Sequence, residues 1–224
     1  MYLREVILDT ETTGLDPKTG HRIIEIGALE LINHLPTGRR YQTYVNPERD
    51  VDGAAFEVHG LSSEFLKEFP VFADIVPEFL DFLAADVLII HNAPFDIGFI
   101  NMELSRLKLP TVPMERVVDT LQLARQKYPG AQASLNALCR RFDIDNSHRN
   151  LHGALVDVDL LAGVYLELIG GRQPGFTLEN VKLEKTGPSH PKGNRSKRRF
   201  APTDIEKRQH LRLIGQLTNP LWKK

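Results

Sequence analysis

The sequence predicts an α/β fold in which a mixed sheet of about five strands is flanked by helices. Short apolar, β-branched runs indicate strands, and they lie at residues 6–8, 23–32, 41–45, 87–90 and 116–119. The first three runs are separated by turn-rich stretches too short for helical crossovers, which predicts an antiparallel meander. The last two runs alternate with helical patterns, which predicts parallel pairing.

Helical patterns cover residues 71–84, 94–107, 120–128, 134–142 and 153–169. The last pattern has the clearest buried face. Its apolar residues keep helical spacing: Leu155, Val158, Leu161, Ala162, Tyr165, Leu166 and Ile169. Gly170 and Gly171 then predict the end of this helix.

The composition indicates a soluble protein with a sizeable core, because 42% of the 224 residues are hydrophobic and 25% are charged. Cys139 is the only cysteine, which excludes an intramolecular disulfide and fits a reducing compartment. The N-terminal residues show no signal-peptide pattern, and no apolar run is long enough to cross a membrane. We therefore expect a cytoplasmic location.

The charge divides the chain into an acidic body and a basic tail. Residues 182–224 contain 12 Lys and Arg against 3 Asp and Glu, whereas the preceding residues contain 16 against 26. We expect one domain over residues 1–178, a flexible basic linker over 179–202, where few residues could be buried, and a helical tail over 203–224. Thr203 and Glu206 form a capping box that opens the tail helix.

The tail admits two interpretations. Its Lys and Arg residues could bind DNA phosphates. Alternatively, the linker only connects, and the tail helix docks on another protein. A helix this short is marginal alone in water, and Leu217, Leu221 and Trp222 supply apolar anchors, so docking is the more economical interpretation.

Asp9 and Glu11 follow a buried strand-like run, two residues apart. Their side chains therefore leave the same face of the sheet, at the strand end where open α/β sheets bind ligands. The alternative is a solvated polar edge followed by a turn. Burying two like charges is costly unless a cation lies between them.

Asp96 follows the strand at 87–90 and falls in the first turn of the next helix. Asn92 is placed to cap this helix, and Pro94 suits its first turn. A carboxylate in that turn is favoured by the helix dipole alone. Asp96 could thus be a helix stabiliser or a metal ligand.

His152 and Asp157 are separated by five residues, which would place them about 140° apart around a helix. They can face one site only if His152 lies on a loop before Gly153 while Asp157 lies in the helix. A fixed carboxylate suits a metal ligand, and a mobile imidazole suits a general base. The alternative makes His152 an ordinary exposed loop residue.

Taken together, Asp9, Glu11, Asp96 and Asp157 provide four carboxylates and His152 one imidazole. This is a ligand set for two divalent metals plus a general base, a combination that hydrolyses phosphodiester bonds. The motifs DTETTG, HNAPFD and HGALVD, in this order, resemble the three motifs of the DEDDh 3′→5′ exonucleases, which have a ribonuclease-H-like fold. The resemblance covers about the first 170 residues, and HGALVDVDLLAGVYLELIGG and the ending TNPLWKK resemble the epsilon (proofreading) subunits of bacterial DNA polymerase III.

The resemblance implies that the four carboxylates hold two Mg²⁺ or Mn²⁺ ions, since all-oxygen ligation suits these ions better than zinc. His152 would take the proton from the attacking water. The residues implied to contact the DNA 3′ end, besides the carboxylates Asp9, Glu11 and Asp157, are Thr12, Thr13, Leu15, His59 and Phe95. Phe95 could equally belong to the core.

The same resemblance implies that the tail binds the polymerase alpha subunit. The segment from Gln173 to Leu178 occupies the place of a sliding-clamp-binding motif, although its Pro-Gly core departs from the usual pattern. Two other functions stay open: a DEDDh nuclease that acts on RNA or in DNA repair, and a non-catalytic adaptor. An adaptor does not need all five site residues, and all five are present.

Overall fold

A five-stranded sheet forms the centre of the chain's first unit. The computed structural model describes residues 2–147, 151–170 and 201–216, and the chain divides into two units, residues 1–177 and 178–224. The strands of the first unit are β1 (Arg4–Thr12), β2 (Ile23–Ile32), β3 (Leu35–Tyr44), β4 (Val87–Ile90) and β5 (Val117–Asp119). They are arranged in the order β3-β2-β1-β4-β5.

The pairing of the strands confirms the predicted mixed sheet. β1, β2 and β3 pair antiparallel, whereas β4 pairs parallel to both β1 and β5. β3 begins at Leu35, well before the predicted start at residue 41, and its first six residues are exposed. Because both faces of this part of β3 are exposed, its residues lack the alternation of apolar and polar side chains by which a strand is recognised.

Helices follow the strands of the first unit. Among its described residues they are α1 (Gly53–His59), α2 (Ser63–Leu66), α3 (Phe72–Leu83), α4 (Ala93–Arg106), α5 (Thr120–Lys127), α6 (Leu135–Arg141) and α7 (Ala154–Ile169). The described residues of the second unit form α8 (Asp204–Gln216). The five helices predicted in the first unit lie within one residue of their predicted bounds. The sequence analysis missed α1 and α2 because each buries a single residue, His59 and Leu66 respectively, and so shows no apolar face.

Both faces of the sheet are buried, each in its own hydrophobic cluster. Val6 and Leu8 of β1 pack with α3 and α4 on one face. Ile7, which points to the opposite face, packs with α5, α6 and α7. Successive residues of β1 therefore face different helix layers, and the odd-numbered residues face α7.

The first turn of α7 lies in backbone contact with β2 at Gly27. A Cβ atom at Gly27 would lie 2.5 Å from the carbonyl carbon of Ala154 and 2.6 Å from its oxygen. No side chain fits in this space. Since Gly27 is paired with Asp9 of β1, the contact brings the start of α7 over the end of β1.

The second unit contains α8, and the capping box predicted for it is present. The Glu206 N–H donates to Thr203 Oγ1 at 3.3 Å, and the Thr203 N–H donates to Glu206 Oε2 at 2.7 Å. The clamp-like segment from Gln173 to Leu178, nearly all of the linker and residues 217–224 lie outside the described residues. Among the described residues, no helix has the length and hydropathy that a membrane span requires.

We expect Gly27→Ala to destabilise the protein by about 1–3 kcal/mol, because the added methyl must push the backbone of α7 away from β2. The matched control is Gly98→Ala in α4, where the nearest atom to a new Cβ is Pro17 Cγ at 4.0 Å. This substitution should stabilise by about 0.4–1 kcal/mol. Urea unfolding of both variants provides the measurement, and an unchanged midpoint for Gly27→Ala would contradict the contact.

Candidate active site

The end of β1 places Asp9 and Glu11 on the face that α7 covers. Their Cα partners in β2 are Gly27 and Glu25, and both residues have the same parity as Ile7, which packs against α7. Glu11 is buried and Asp9 half-buried. The pairing of β1 with β4 ends at Ile7, so the last residues of β1 extend beyond β4.

Asp96 approaches this strand end from the first turn of α4. Its Oδ1 accepts hydrogen bonds from the Thr10 backbone N–H at 3.0 Å and from Thr10 Oγ1 at 2.7 Å. Burial, with a smaller contribution from the charge of Asp119, raises the pKa of Asp96 to about 7 despite the opposing effect of the hydrogen bonds from Thr10. The hydrogen bonds from Thr10 therefore hold the carboxyl group in place, and its raised pKa means that it is only partly ionised near neutral pH.

The start of α4 differs from the prediction in one respect. Pro94 lies in the first turn as expected, but the Asn92 side chain makes no capping hydrogen bond because its backbone is left-handed, with φ of 65°. The Asn92 N–H instead donates to Asp119 Oδ1 at 3.1 Å. The position of α4 is therefore tied to the end of β5.

His152 and Asp157 take the positions predicted from their spacing. Gly153 is the N-cap of α7, Asp157 is buried in its first turn, and His152 precedes the helix with 46% of its side chain exposed. His152 Nδ1 lies 3.7 Å from Asp157 Oδ2. Glu11, His152 and Asp157 each offer a ligand atom, and these atoms all lie within 4.8 Å of one another.

A cavity of about 1300 Å³ joins these elements. All five residues of the predicted metal and base set line it: Asp9, Glu11, Asp96, His152 and Asp157. Four of the other predicted contact residues line it as well, namely Thr12, Leu15, His59 and Phe95. Leu15 is 85% exposed.

Thr13 does not line this cavity with the others. Its side chain is fully buried, and Thr13 Oγ1 accepts a hydrogen bond from the Arg22 N–H at 3.0 Å and lies 3.1 Å from His21 Nδ1. Thr13 therefore holds the turn between β1 and β2 and shapes the site indirectly.

His59 and Phe95 each combine a structural contact with a place in the cavity wall. His59 Nδ1 accepts a hydrogen bond from the Leu61 N–H at 3.0 Å, while its buried Nε2 has no partner of normal geometry among the described residues. Burial lowers the pKa of His59 and the nearby His152 lowers it further, against the opposing effect of the Thr12 backbone. The Phe95 ring packs on Phe99, with ring centroids 5.0 Å apart, and Phe95 also lines the cavity, so both interpretations of Phe95 stay open.

Sequence reasoning missed the far wall of the cavity, which α5, α6 and their connection form. The polar residues of this wall are Arg125, Gln132, Ser134 and Asn136. They belong to no motif, and their residue types are common on protein surfaces. These four residues belong to the site only because folding brings α5 and α6 close to the end of β1.

Several known proteins are similar to this chain in sequence or in fold. A family model described as Exonuclease (RNase_T) matches residues 6–165. DNA polymerase III subunit epsilon of Rickettsia felis is 54% identical over 185 residues, 81% of each chain. The same subunit of Pasteurella multocida is 42% identical over 99% of this chain and 94% of its own.

The fold has a solved counterpart in the nuclease domain of 3′hExo, described as a DEDDh family member bound to rAMP. The TM-score is 0.65 at 20% identity, and the match covers 75% of this chain and 92% of that one. This likeness confirms the ribonuclease-H-like sheet. The chain therefore belongs to the exonuclease family, among the DNA polymerase III epsilon subunits, and is a 3′→5′ exonuclease that uses divalent metal ions.

Proposed function

We propose that the chain proofreads DNA by removing the 3′-terminal nucleotide as a nucleoside 5′-monophosphate, and that the 1300 Å³ cavity is where this occurs. The observation that carries the proposal is the convergence of Glu11, His152 and Asp157, whose ligand atoms lie within 4.8 Å of one another. Asp9 and Asp96 line the same cavity. An acidic site of this kind can accept a phosphodiester only with cations present.

Asp9, Glu11, Asp96 and Asp157 are the proposed ligands of two divalent cations, Mg²⁺ or Mn²⁺. Their oxygen donors fit these hard ions, and three of the four carboxylates are buried, where like charges are costly without a cation. When bound, the two ions supply an activated hydroxide and neutralise the charge that develops on the leaving 3′ oxygen.

His152 is the proposed general base. It lies on the loop before α7, partly exposed, so the neutral imidazole can reach a water at the cavity. As the oxygen of the attacking water bonds to phosphorus and the P–O3′ bond breaks, His152 would accept the proton of that water and the 3′ oxygen would take a proton from solvent. Asp157, 3.7 Å away, then stabilises the imidazolium ion.

The terminal nucleotide is proposed to lie against Thr12, Leu15, His59 and Phe95. His59 lines the cavity with its Nε2 atom buried, and Phe95 and exposed Leu15 offer apolar surface to the sugar and base. Stacking of this type tolerates any base. Frayed mismatched ends reach such a site at lower cost, which gives the preference that proofreading requires.

The second unit is proposed to attach the enzyme to its polymerase in the cytoplasm. Residues 1–178 would form the exonuclease domain, residues 179–202 a flexible linker, and residues 203–224 the tail that binds the alpha subunit. The segment from Gln173 to Leu178 would contact the sliding clamp. The Pasteurella multocida epsilon subunit supports this proposal, because its similarity covers 99% of this chain.

We expect Asp157→Ala to abolish nucleotide release from a 3′-mismatched DNA primer with Mg²⁺, because a buried ligand is lost. His152→Ala should retain activity reduced by about 10²–10⁴-fold, the usual effect of losing a general base. Quantification of released mononucleotides, with a single-stranded RNA of the same sequence as comparison, measures both. Wild-type rates for Asp157→Ala, or a faster reaction on RNA, would contradict the proposal.

A chain that ends at Gly171 should keep its exonuclease rate on single-stranded DNA and lose measurable binding to the polymerase alpha subunit. The physical reason is that the described site residues all precede Gly171. The matched control is the full chain with Leu221→Ala and Trp222→Ala, which keeps the basic residues. Neither the shortened chain nor the double variant should bind alpha in a pull-down experiment. Binding of the double variant would indicate that the basic residues, and not Leu221 and Trp222, attach the tail to alpha.

The stability of the metal-free protein should rise as the pH falls from about 7 towards about 4. Asp96 has a folded pKa of about 7 and an unfolded value of about 3.9, so in this window the folded state binds a proton that the unfolded state does not. Urea unfolding in EDTA at several pH values measures this contribution. Asp96→Asn should remove it, and equal pH slopes for both proteins would contradict the assignment.

A further inference from the structure

Glu25 is a buried carboxylate that the proposed reaction does not use. It is 2% exposed and is paired with Glu11 across β1 and β2, so both side chains leave the sheet towards α7. Burial raises its pKa, hydrogen bonds from Gln42 and Ala154 oppose the shift, and the nearby charge of Asp157 raises the pKa again. Burying a carboxylate is energetically costly unless hydrogen bonds satisfy its oxygen atoms.

The hydrogen bonds of Glu25 connect β2 to the start of α7. Its Oε2 accepts from the Ala154 N–H at 3.2 Å, and its Oε1 accepts from Gln42 Nε2 at 2.8 Å. Ala154 is the first residue of α7, and Gly153 at the N-cap has no side chain that could cap the helix. Glu25 therefore satisfies, from a neighbouring strand, one of the N–H groups that have no partner within the helix at its N-terminus.

This hydrogen bond fixes the part of α7 that carries the site. Ala154 lies between His152 and Asp157 in sequence, and its backbone touches β2 at Gly27. Gly27 makes the close approach possible, but a glycine makes no hydrogen bond through a side chain. The Glu25 bond supplies the directional link that holds the first turn in register with Glu11.

We propose that Glu25 is a positioning residue, which anchors the first turn of α7 to β2 and thereby sets the distance of Asp157 and His152 from Glu11. The inference rests on the proposed function of these three residues. It attributes the effect of Glu25 to its hydrogen-bond acceptor and not to its charge.

Two substitutions of Glu25 distinguish the effect of its hydrogen-bond acceptor from the effect of its negative charge. Glu25→Gln keeps a carbonyl oxygen within reach of the Ala154 N–H, and the Gln42 amide can turn to pair with the new amide. Glu25→Asp keeps the charge but withdraws it by one methylene, beyond hydrogen-bond range of Ala154. For Glu25→Asp we expect an increase of about 10–100-fold in the metal concentration needed for half-maximal rate, with KM for DNA little changed. Glu25→Gln should remain close to wild type.

Glu5→Asp is the matched control. Glu5, in β1, is another buried carboxylate on the face of the sheet that α7 covers, and its Oε1 accepts a hydrogen bond at 2.7 Å from Tyr165 Oη in a later turn of α7. Its shortening should lower the melting temperature without changing the metal requirement. The inference is overturned if Glu25→Asp matches wild type, if Glu25→Gln is impaired as much as Glu25→Asp, or if Glu5→Asp raises the metal requirement equally.

Asp157→Ala serves as the reference in the same assay. If it keeps full activity, the proposed function itself fails. If it is inactive and Glu25→Asp behaves as wild type, only the positioning role fails.

Discussion

The site depends on one close contact, that between the backbone of α7 at Ala154 and β2 at Gly27. Asp9 is paired with Gly27, so the helix start lies directly over the strand end that carries the first acidic pair. Protein interiors are close-packed and do not deform smoothly. A larger residue at Gly27 would therefore move Asp157 as a unit with its helix, and the ligand atoms of Glu11, His152 and Asp157 would separate.

The carboxylates gathered in the cavity create an electrostatic conflict, which is resolved in three ways. Several buried carboxylates line one cavity, and burial raises the pKa of Asp96 to about 7, so that its charge is partly suppressed near neutral pH. Glu25 and Asp96 also accept hydrogen bonds from backbone N–H groups, which stabilise negative charge in fixed positions. Divalent cations complete the balance, because a metal binds the ionised form.

Residue patterns in the sequence were sufficient to predict the helices that bury an apolar face and to find the acidic motifs. They were insufficient to predict features that depend on contacts between residues distant in sequence. α1 buries only His59, the first half of β3 buries nothing, and Asn92 takes a left-handed backbone that prevents capping. Gly27 and Glu25 looked like ordinary strand residues, since their significance arises only when α7 packs against them.

The proposed base His152 and the proposed metal ligand Asp157 are only five residues apart, but different contacts hold them in place. Asp157 is fixed by the first turn of α7, whose N–H at residue 157 donates to the Gly153 oxygen at 3.0 Å. The His152 N–H instead donates to the Val58 oxygen at 3.0 Å, and the Leu151 side chain lies over Gly60, where a Cβ would be 2.7 Å from Leu151 Cδ1. The proposed base His152 is therefore attached to α1, next to His59. The position of the proposed metal ligand Asp157 is set by the packing of α7 on the sheet, whereas the position of His152 is set by the wall of the cavity that is proposed to hold the nucleotide.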